Sequence, residues 1–219
     1  SPLRYRLLAK ILRRNPVLCV SKQAETHYRE RFGSTNTHVV YECPGDIEAP
    51  AIDPAKMHIV MVGSINERKG VELFSKVADL AAETHPDWQF HWIGSQATVN
   101  PLYQSPKVTW HGWQWNPRDI VRQCDLFLLA SIDDPCPLSA IEAGMMGKRL
   151  VTYRGTGISE IIDQLPGCGI FEHYRVPEVL KSLEKSINDE PIQPELIQST
   201  FTEFCGVDDF SRRVEAALR

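Results

Sequence analysis

The sequence contains no apolar run approaching the ~18 residues that a membrane-spanning helix needs. Nothing at its start reads as a signal peptide, so the expectation is a cytoplasmic protein. Six cysteines (Cys19, Cys43, Cys124, Cys136, Cys168 and Cys205) include no C-x-x-C pair. That spacing excludes a zinc-ribbon pattern and a small disulfide framework, and it fits a reducing compartment. The seven histidines show neither H-E-x-x-H nor H-x-x-H spacing. Both G-x-x-x-x-G-K-[ST] and G-x-G-x-x-G are missing, which excludes a P-loop and a dinucleotide fingerprint. There is no surplus of positive charge: 24 Lys and Arg against 28 Asp and Glu give a net charge of −4. A global electrostatic argument for nucleic-acid binding is therefore absent. Internal repeats and low-complexity segments are absent too.

What is present is an ordinary globular composition, 42% hydrophobic and 24% charged over 219 residues. That suffices for one large domain, or one domain and an extra segment. The first residues are locally unbalanced. "SPLRYRLLAKILRRNP" carries Arg4, Arg6, Lys10, Arg13 and Arg14 and no acid, with Leu3, Leu7, Leu8, Ile11 and Leu12 on one helical stripe. A basic amphipathic helix over 2–14 suits packing on another part of the fold, which is the simpler use. It also suits peripheral contact with an anionic membrane surface.

Further along, "VLCV" and "THVVYE" read as short strands around a helix that Ser21 caps and Gly33 ends. The proline-rich "CPGDIEAPAIDP" is the best boundary, dividing a trailing segment over 1–54 from a main domain over 55–219. From Lys56 the pattern becomes regular. "HIVMVG", "WQFHWIG", "VTWHGW", "DLFLLA", "RLVTY" and "CGIFEH" read as strands, with helical stretches interleaved. One of these, "VELFSKVADLAAETH", places Val71, Phe74, Val77, Ala78 and Ala81 on one face. "DLFLLA" is apolar throughout, as a strand covered on both faces requires. The expected fold class is α/β, a Rossmann-like parallel sheet with helices on both faces. Ligands of such sheets bind beyond the carboxyl ends of the strands.

The loops at those ends carry the functional argument. After "HIVMVG", Gly63 and Ser64 lead to Arg68, Lys69 and Gly70 at the opening of a helix. Cations beside the amides of a helix N-terminus suit phosphate oxygens, although Arg68 and Lys69 read equally well as solvated loop cations. After "DLFLLAS" comes "IDDPCPLSAIE". Asp134 hangs in the loop, Glu142 projects from the second turn of the following helix, and the amides of Leu138 and Ser139 lie between them. Such amides suit a diphosphate, and carboxylates accept hydrogen bonds from the vicinal hydroxyls of ribose or hexose. A capping Asp and a satisfied buried Glu is the plainer alternative.

This arrangement resembles the E-x7-E motif of the retaining GT-B glycosyltransferases of family 4, the glycosyl transferases group 1. "VMVGSINERKG" is similar to the family's first C-domain strand and G-R-L-x-x-x-K-G loop. "FHWIGS" and "VTWHGW" are similar to its next strands, and "DPCPLSAIEAGMMGKRLVTYRGTGISEII" to its E-P-F-G-L-x-x-L-E-A and G-G-x-x-E stretch. The stretch upstream, "VLCVSKQAETHYRERFG" to "HVVYECPGD", resembles the end of the family's N-terminal domain. The resemblance thus covers nearly the whole chain. It implies the C-terminal, donor-binding half of a GT-B fold that transfers a sugar, with retained configuration, from a UDP- or GDP-sugar. The co-substrate is the nucleotide sugar, and no cofactor or metal is required. Glu142 would bind ribose, Asp134 the transferred sugar, and Lys69 with Arg68 the diphosphate, aided by backbone at Leu138 and Ser139. Gly63, Ser64, Gly94, Trp113 and Pro137 complete the implied donor site. A glycan or lipid-linked acceptor would be met by a missing N-terminal domain or a partner chain.

Three departures bear on this. Ser64 stands where the family usually has an arginine, Asp134 is one methylene shorter than the usual glutamate, and Pro137 replaces a glycine and removes a donor. With the acceptor half absent, they leave a second reading open: a non-catalytic nucleotide-sugar-binding or interaction domain of a larger assembly. A sugar-nucleotide epimerase is a third, against which the E-x7-E context speaks. Of the remaining candidates, His91 and His111 read as hydrogen-bonded packing residues, and Trp110 and Trp115 as core or surface packing. Glu160 reads equally as a brace or a ligand group, and Cys136 lacks a neighbouring base for a nucleophile.

Overall fold

The computed structural model describes residues 9–11, 15–33, 36–41, 56–96, 102–163, 165–189 and 194–218. Of the basic helix expected over 2–14, only 9–11 fall within them, and these are helical. The proline-rich connection over 43–54 lies outside the described residues.

Elements follow in chain order as β1 (Val17–Cys19), α1 (Lys22–Phe32), β2 (Thr37–Val39), β3 (Met57–Val62) and α2 (Val71–Thr84). Next come β4 (Trp88–Ile93), β5 (Val108–Trp110), α3 (Arg118–Gln123), β6 (Leu126–Leu129), α4 (Leu138–Met145) and β7 (Arg149–Tyr153). The last are α5 (Ser159–Ile162), β8 (Gly169–Phe171), α6 (Val176–Asn188), α7 (Pro194–Cys205) and α8 (Val207–Leu218). Strands β1 and β2 form a parallel pair of their own. The other six form one parallel sheet in the order β5-β4-β3-β6-β7-β8. The chain therefore builds outward from β3 on one side, returns to β6 on the other, and reverses strand order between them. That reversal opens a crevice at the strands' carboxyl ends.

The apolar pattern decides the layers. Every residue of β6 is buried, so the centre of the sheet is covered on both faces. The expected face of α2 is buried in full, with Phe74 set edge-on to Phe90 and Trp92 at 5.6 and 5.2 Å between ring centroids. Alternation along β4 then turns His91 to the opposite face, where it lies in a row with its neighbours. His58 Nδ1 is 3.0 Å from His91 Nε2, and His91 Nδ1 is 3.1 Å from His111 Nε2. Burial first, then the neighbouring imidazoles, push His91 down to about 4.

The β1-α1-β2 segment is held to the main sheet by a long-range cap. Ser21 Oγ accepts the Ala24 N–H at 3.1 Å, and Gly33, at φ 61°, closes α1 in the left-handed conformation. The two preceding donors at the helix start, Lys22 N and Gln23 N, go to the carboxylate of Glu160 at 3.1 and 2.9 Å. Tyr41 donates its hydroxyl to the same carboxylate at 2.7 Å, and burial followed by this bond pushes its phenol well above the ordinary range. A carboxylate at a helix N-terminus also meets the positive end of the helix dipole. Glu160 is therefore a brace in this fold.

Removing it in Glu160→Ala should cost about 2–3 kcal/mol, because hydrogen bonds to a charge are worth roughly 1.5–3 kcal/mol each and two of these donors are exposed. Denaturant unfolding checks this; an unchanged midpoint would show that the segment does not depend on the cap. The imidazole row predicts an acid dependence. His91 is neutral when folded and takes a proton near pH 6.5 when unfolded, so its contribution is flat above that pH. It should be lost by on the order of 2 kcal/mol as pH falls towards 4, after allowance for solvent access. The stability difference between the wild type and His91→Gln, followed from pH 7 to pH 4, should change across that window.

Candidate functional site

Two loops meet at the reversal. The loop over 63–70, from β3 to α2, is fixed by its backbone. Gly63 and Ile65 donate to Ile93 and Ser95 across the β4 end, each at 2.9 Å. Asn66 Oδ1 accepts the Lys69 N–H at 2.9 Å. Gly70, at φ +74°, passes so close to the start of the loop after β6 that an added Cβ would lie 1.9 Å from the Ala130 carbonyl oxygen and 2.3 Å from the Tyr174 hydroxyl. Only glycine fits both that space and that dihedral.

The facing loop over 130–137 is bound to it in both directions. Ile132 N–H donates to the Arg68 carbonyl at 3.0 Å, and the Arg68 guanidinium returns a bond to the Asp133 carbonyl at 2.9 Å. Between them Lys69 Nζ meets Asp134 Oδ2 at 2.5 Å, with Ser131 Oγ donating to the same oxygen at 3.3 Å and Arg68 Nη1 at 3.7 Å. Asp134 is 6% exposed, so this is a pair largely removed from water. Its other oxygen, Oδ1, takes no partner among the described residues.

Helix α4 begins where that loop ends. Its first-turn amides at Ala140 and Ile141 donate to the Pro137 carbonyl, which leaves those of Leu138 and Ser139 as the open donors of the N-terminus. The Ser139 hydroxyl is committed elsewhere: it donates to the Val62 carbonyl at 3.0 Å and ties α4 to the end of β3. One turn on, Glu142 Oε1 accepts from Arg118 Nη2 at 2.9 Å, and Oε2 takes no partner among the described residues. A cleft of about 470 Å³ opens here, lined by Trp115, Asn116, Pro117, Arg118 and Glu142. The two carboxylates thus share one design. Each has an oxygen fixed by a cation and an oxygen left open.

Residues 56–189 match the family described as glycosyl transferases group 1. The chain belongs to that family. It is 23% identical over 184 residues to an uncharacterized glycosyltransferase of Haemophilus influenzae, a match spanning 79% of this chain and 52% of that protein. The chain therefore spans about half the length of the curated relative it matches. Among solved structures it is similar to Anabaena Alr3699/HepE in complex with UDP and glucose, with a TM-score of 0.79 and 16% identity over 100% of this chain and 67% of that one. It is also similar to the apo form of the lipopolysaccharide outer core galactosyltransferase WaaB, with a TM-score of 0.74 and 20% identity, covering 93% of this chain and 61% of the other. The fold is the α/β, GT-B-like arrangement that these glycosyltransferases share.

Of the residues singled out in the sequence, Gly63, Arg68, Lys69, Asp134 and Pro137 lie on the two loops, and Leu138 and Ser139 open α4 directly after the second. Gly94, at φ 144°, backs the first of them, since a Cβ there would lie 2.0 Å from the Gly63 carbonyl oxygen. Ser64 is exposed and makes no side-chain hydrogen bond among the described residues. Trp113 is exposed after β5, edge-on to Trp115 at 5.7 Å. Trp110 packs as expected, against Trp92. Trp115 is 88% exposed, lines the cleft and packs edge-on to Trp113 at the surface. Sequence reasoning passed over Arg118, Ser131 and Tyr174. Among the described residues, no helix is long and apolar enough to cross a membrane.

Because the Gly70 backbone lies against that of Ala130, Gly70→Ala should lower stability by at least about 2 kcal/mol through strain and a backbone clash. Thermal unfolding measures it, and a melting temperature equal to wild type would contradict the loop geometry.

Proposed function

We propose that this chain is the donor-binding half of a retaining glycosyltransferase of family 4, taking a nucleotide-diphosphate sugar. The observation that carries the reading is the pair of half-committed carboxylates on either side of the open α4 N-terminus, with Lys69 between the loops. In this reading the diphosphate lies across the amides of Leu138 and Ser139, with Lys69 and Arg68 supplying positive charge. Glu142 accepts the ribose hydroxyls through Oε2, and Asp134 accepts hydroxyls of the transferred sugar through Oδ1. As the glycosidic bond breaks, negative charge grows on the leaving diphosphate. Fixed donors and cations that need no reorganisation stabilise that charge. Transfer with retention follows the family resemblance, the departing phosphate oxygen helping to deprotonate the acceptor on the same face. The acceptor is met by a domain or partner chain beyond these residues.

UDP is the first nucleotide to try, because the similar HepE structure contains it. The exposed Ser64, which adds no cation to the phosphate loop, is the observation that favours a domain that binds donor without turning it over.

Calorimetric titration with UDP, GDP, ADP and their sugar conjugates should show one nucleotide bound and its conjugate bound more tightly. Glu142→Ala should weaken nucleotide binding by about one to two orders of magnitude, the loss of a charged hydrogen bond being worth about 1.5–3 kcal/mol. Undiminished affinity in the folded variant would remove the ribose role. Asp134→Asn, which keeps the side-chain shape, should weaken the sugar conjugate more than the bare nucleotide; equal losses would show that Asp134 does not read the sugar. Binding without transfer, when the whole protein is supplied with acceptors, would support the non-catalytic reading.

A further inference from the structure

We infer that Arg118 is a positioning residue for ribose recognition: it holds the Glu142 carboxylate in place so that Oε2 faces the cleft. The inference rests on the donor-binding reading above and adds to it a residue that no motif marks.

The geometry is built rather than incidental. Arg118 is the first residue of α3, on a turn set by Pro117 at φ −64°, whose carbonyl accepts from the amides of Ile120 and Val121. Asn116 Nδ2 donates to Asp119 Oδ2 at 3.0 Å and closes the same turn. At its other end α3 is tied to the segment following α4: Lys148, 1% exposed, donates from Nζ to the Arg122 carbonyl at 2.8 Å. Burial pushes the Lys148 ammonium below its ordinary value, and this carbonyl is its hydrogen-bond acceptor. Helix α3 is thus joined twice, to α4 by Arg118–Glu142 and to the segment following it by Lys148.

A freely rotating glutamate loses rotamer entropy when it grips a diol. Arg118 removes that cost in advance by fixing one oxygen and leaving the other open. Both side chains remain partly accessible, 34% for Arg118 and 21% for Glu142, so the pair borders the cleft and is not sealed in the core. A competing latch would engage both carboxylate oxygens. This arginine engages one.

The test compares uridine, guanosine and adenosine diphosphates, each against its 2′,3′-dideoxy form, on the wild-type chain and on Arg118→Met. For the nucleotide that binds, the wild type should prefer the ribose form by at least about tenfold. In Arg118→Met that preference should shrink several-fold while affinity for the dideoxy form stays unchanged, which a general loss of folding would not produce. A preference preserved in Arg118→Met overturns the inference alone. Tighter ribonucleotide binding in the variant overturns it as well, since Arg118 would then compete with ribose. Equal affinity of the wild type for both forms, or no binding of any, removes the ribose role of Glu142 and the inference with it.

Discussion

An ammonium and a carboxylate that have both left bulk water hold their places only while each has the other. Removing one leaves an uncompensated charge that costs about 3–5 kcal/mol. Lys69 and Asp134 are such a pair, and they meet where the sheet reverses its strand order. The loops they join arise from strands that are neighbours in the sheet but separated in sequence, and the Arg68 bonds to Asp133 and Ile132 reinforce the join. Gly70 lets the two loops' backbones approach closely, and Gly94 does the same for the end of β4 against Gly63. The two loops are therefore joined before any ligand arrives.

At these loops and on the adjoining helix α4 each carboxylate is half committed. Lys69 holds one oxygen of Asp134, and Arg118 one oxygen of Glu142, while the second oxygen of each remains open. Fixed acceptors of this kind distinguish hydroxylated ligands from their deoxy analogues, since an acceptor aimed at a missing hydroxyl goes unpaired. The proposed donor site follows from this arrangement together with the free amides of α4. Its charge balance is local: cations sit against acids, and an incoming diphosphate would compete with Asp134 for the ammonium of Lys69. That competition couples the proposed phosphate and sugar contacts to one another.

Much of this was legible in the sequence because it is written in short-range pattern. The uniform apolar run of β6, the helical face of α2, the Ser21 and Gly33 caps and the loop–helix character of "DPCPLSAIE" depend on neighbours within a few residues. What escaped depends on which strands become adjacent. Arg118 reads as an ordinary helix-start cation until α3 is placed beside α4. Glu160 braces a helix 137 and 138 positions away, and no local signal specifies that partner. The row of His58, His91 and His111 requires that β3, β4 and β5 lie in order, which alternation within each strand does not encode. The 88% exposure of Trp115 likewise escaped, since an aromatic-rich stretch reads as packing until its burial is known.

The central claim is that a diphosphate seats between Lys69 and the N-terminus of α4, with ribose at Glu142. A crystal structure of the chain with the nucleotide sugar that it binds best tests it most directly. The account predicts phosphate oxygens within hydrogen-bond reach of Lys69 Nζ and the Leu138 and Ser139 amides, and ribose hydroxyls on Glu142 Oε2. A nucleotide bound elsewhere, with the Lys69–Asp134 pair undisturbed and Glu142 untouched, would contradict it.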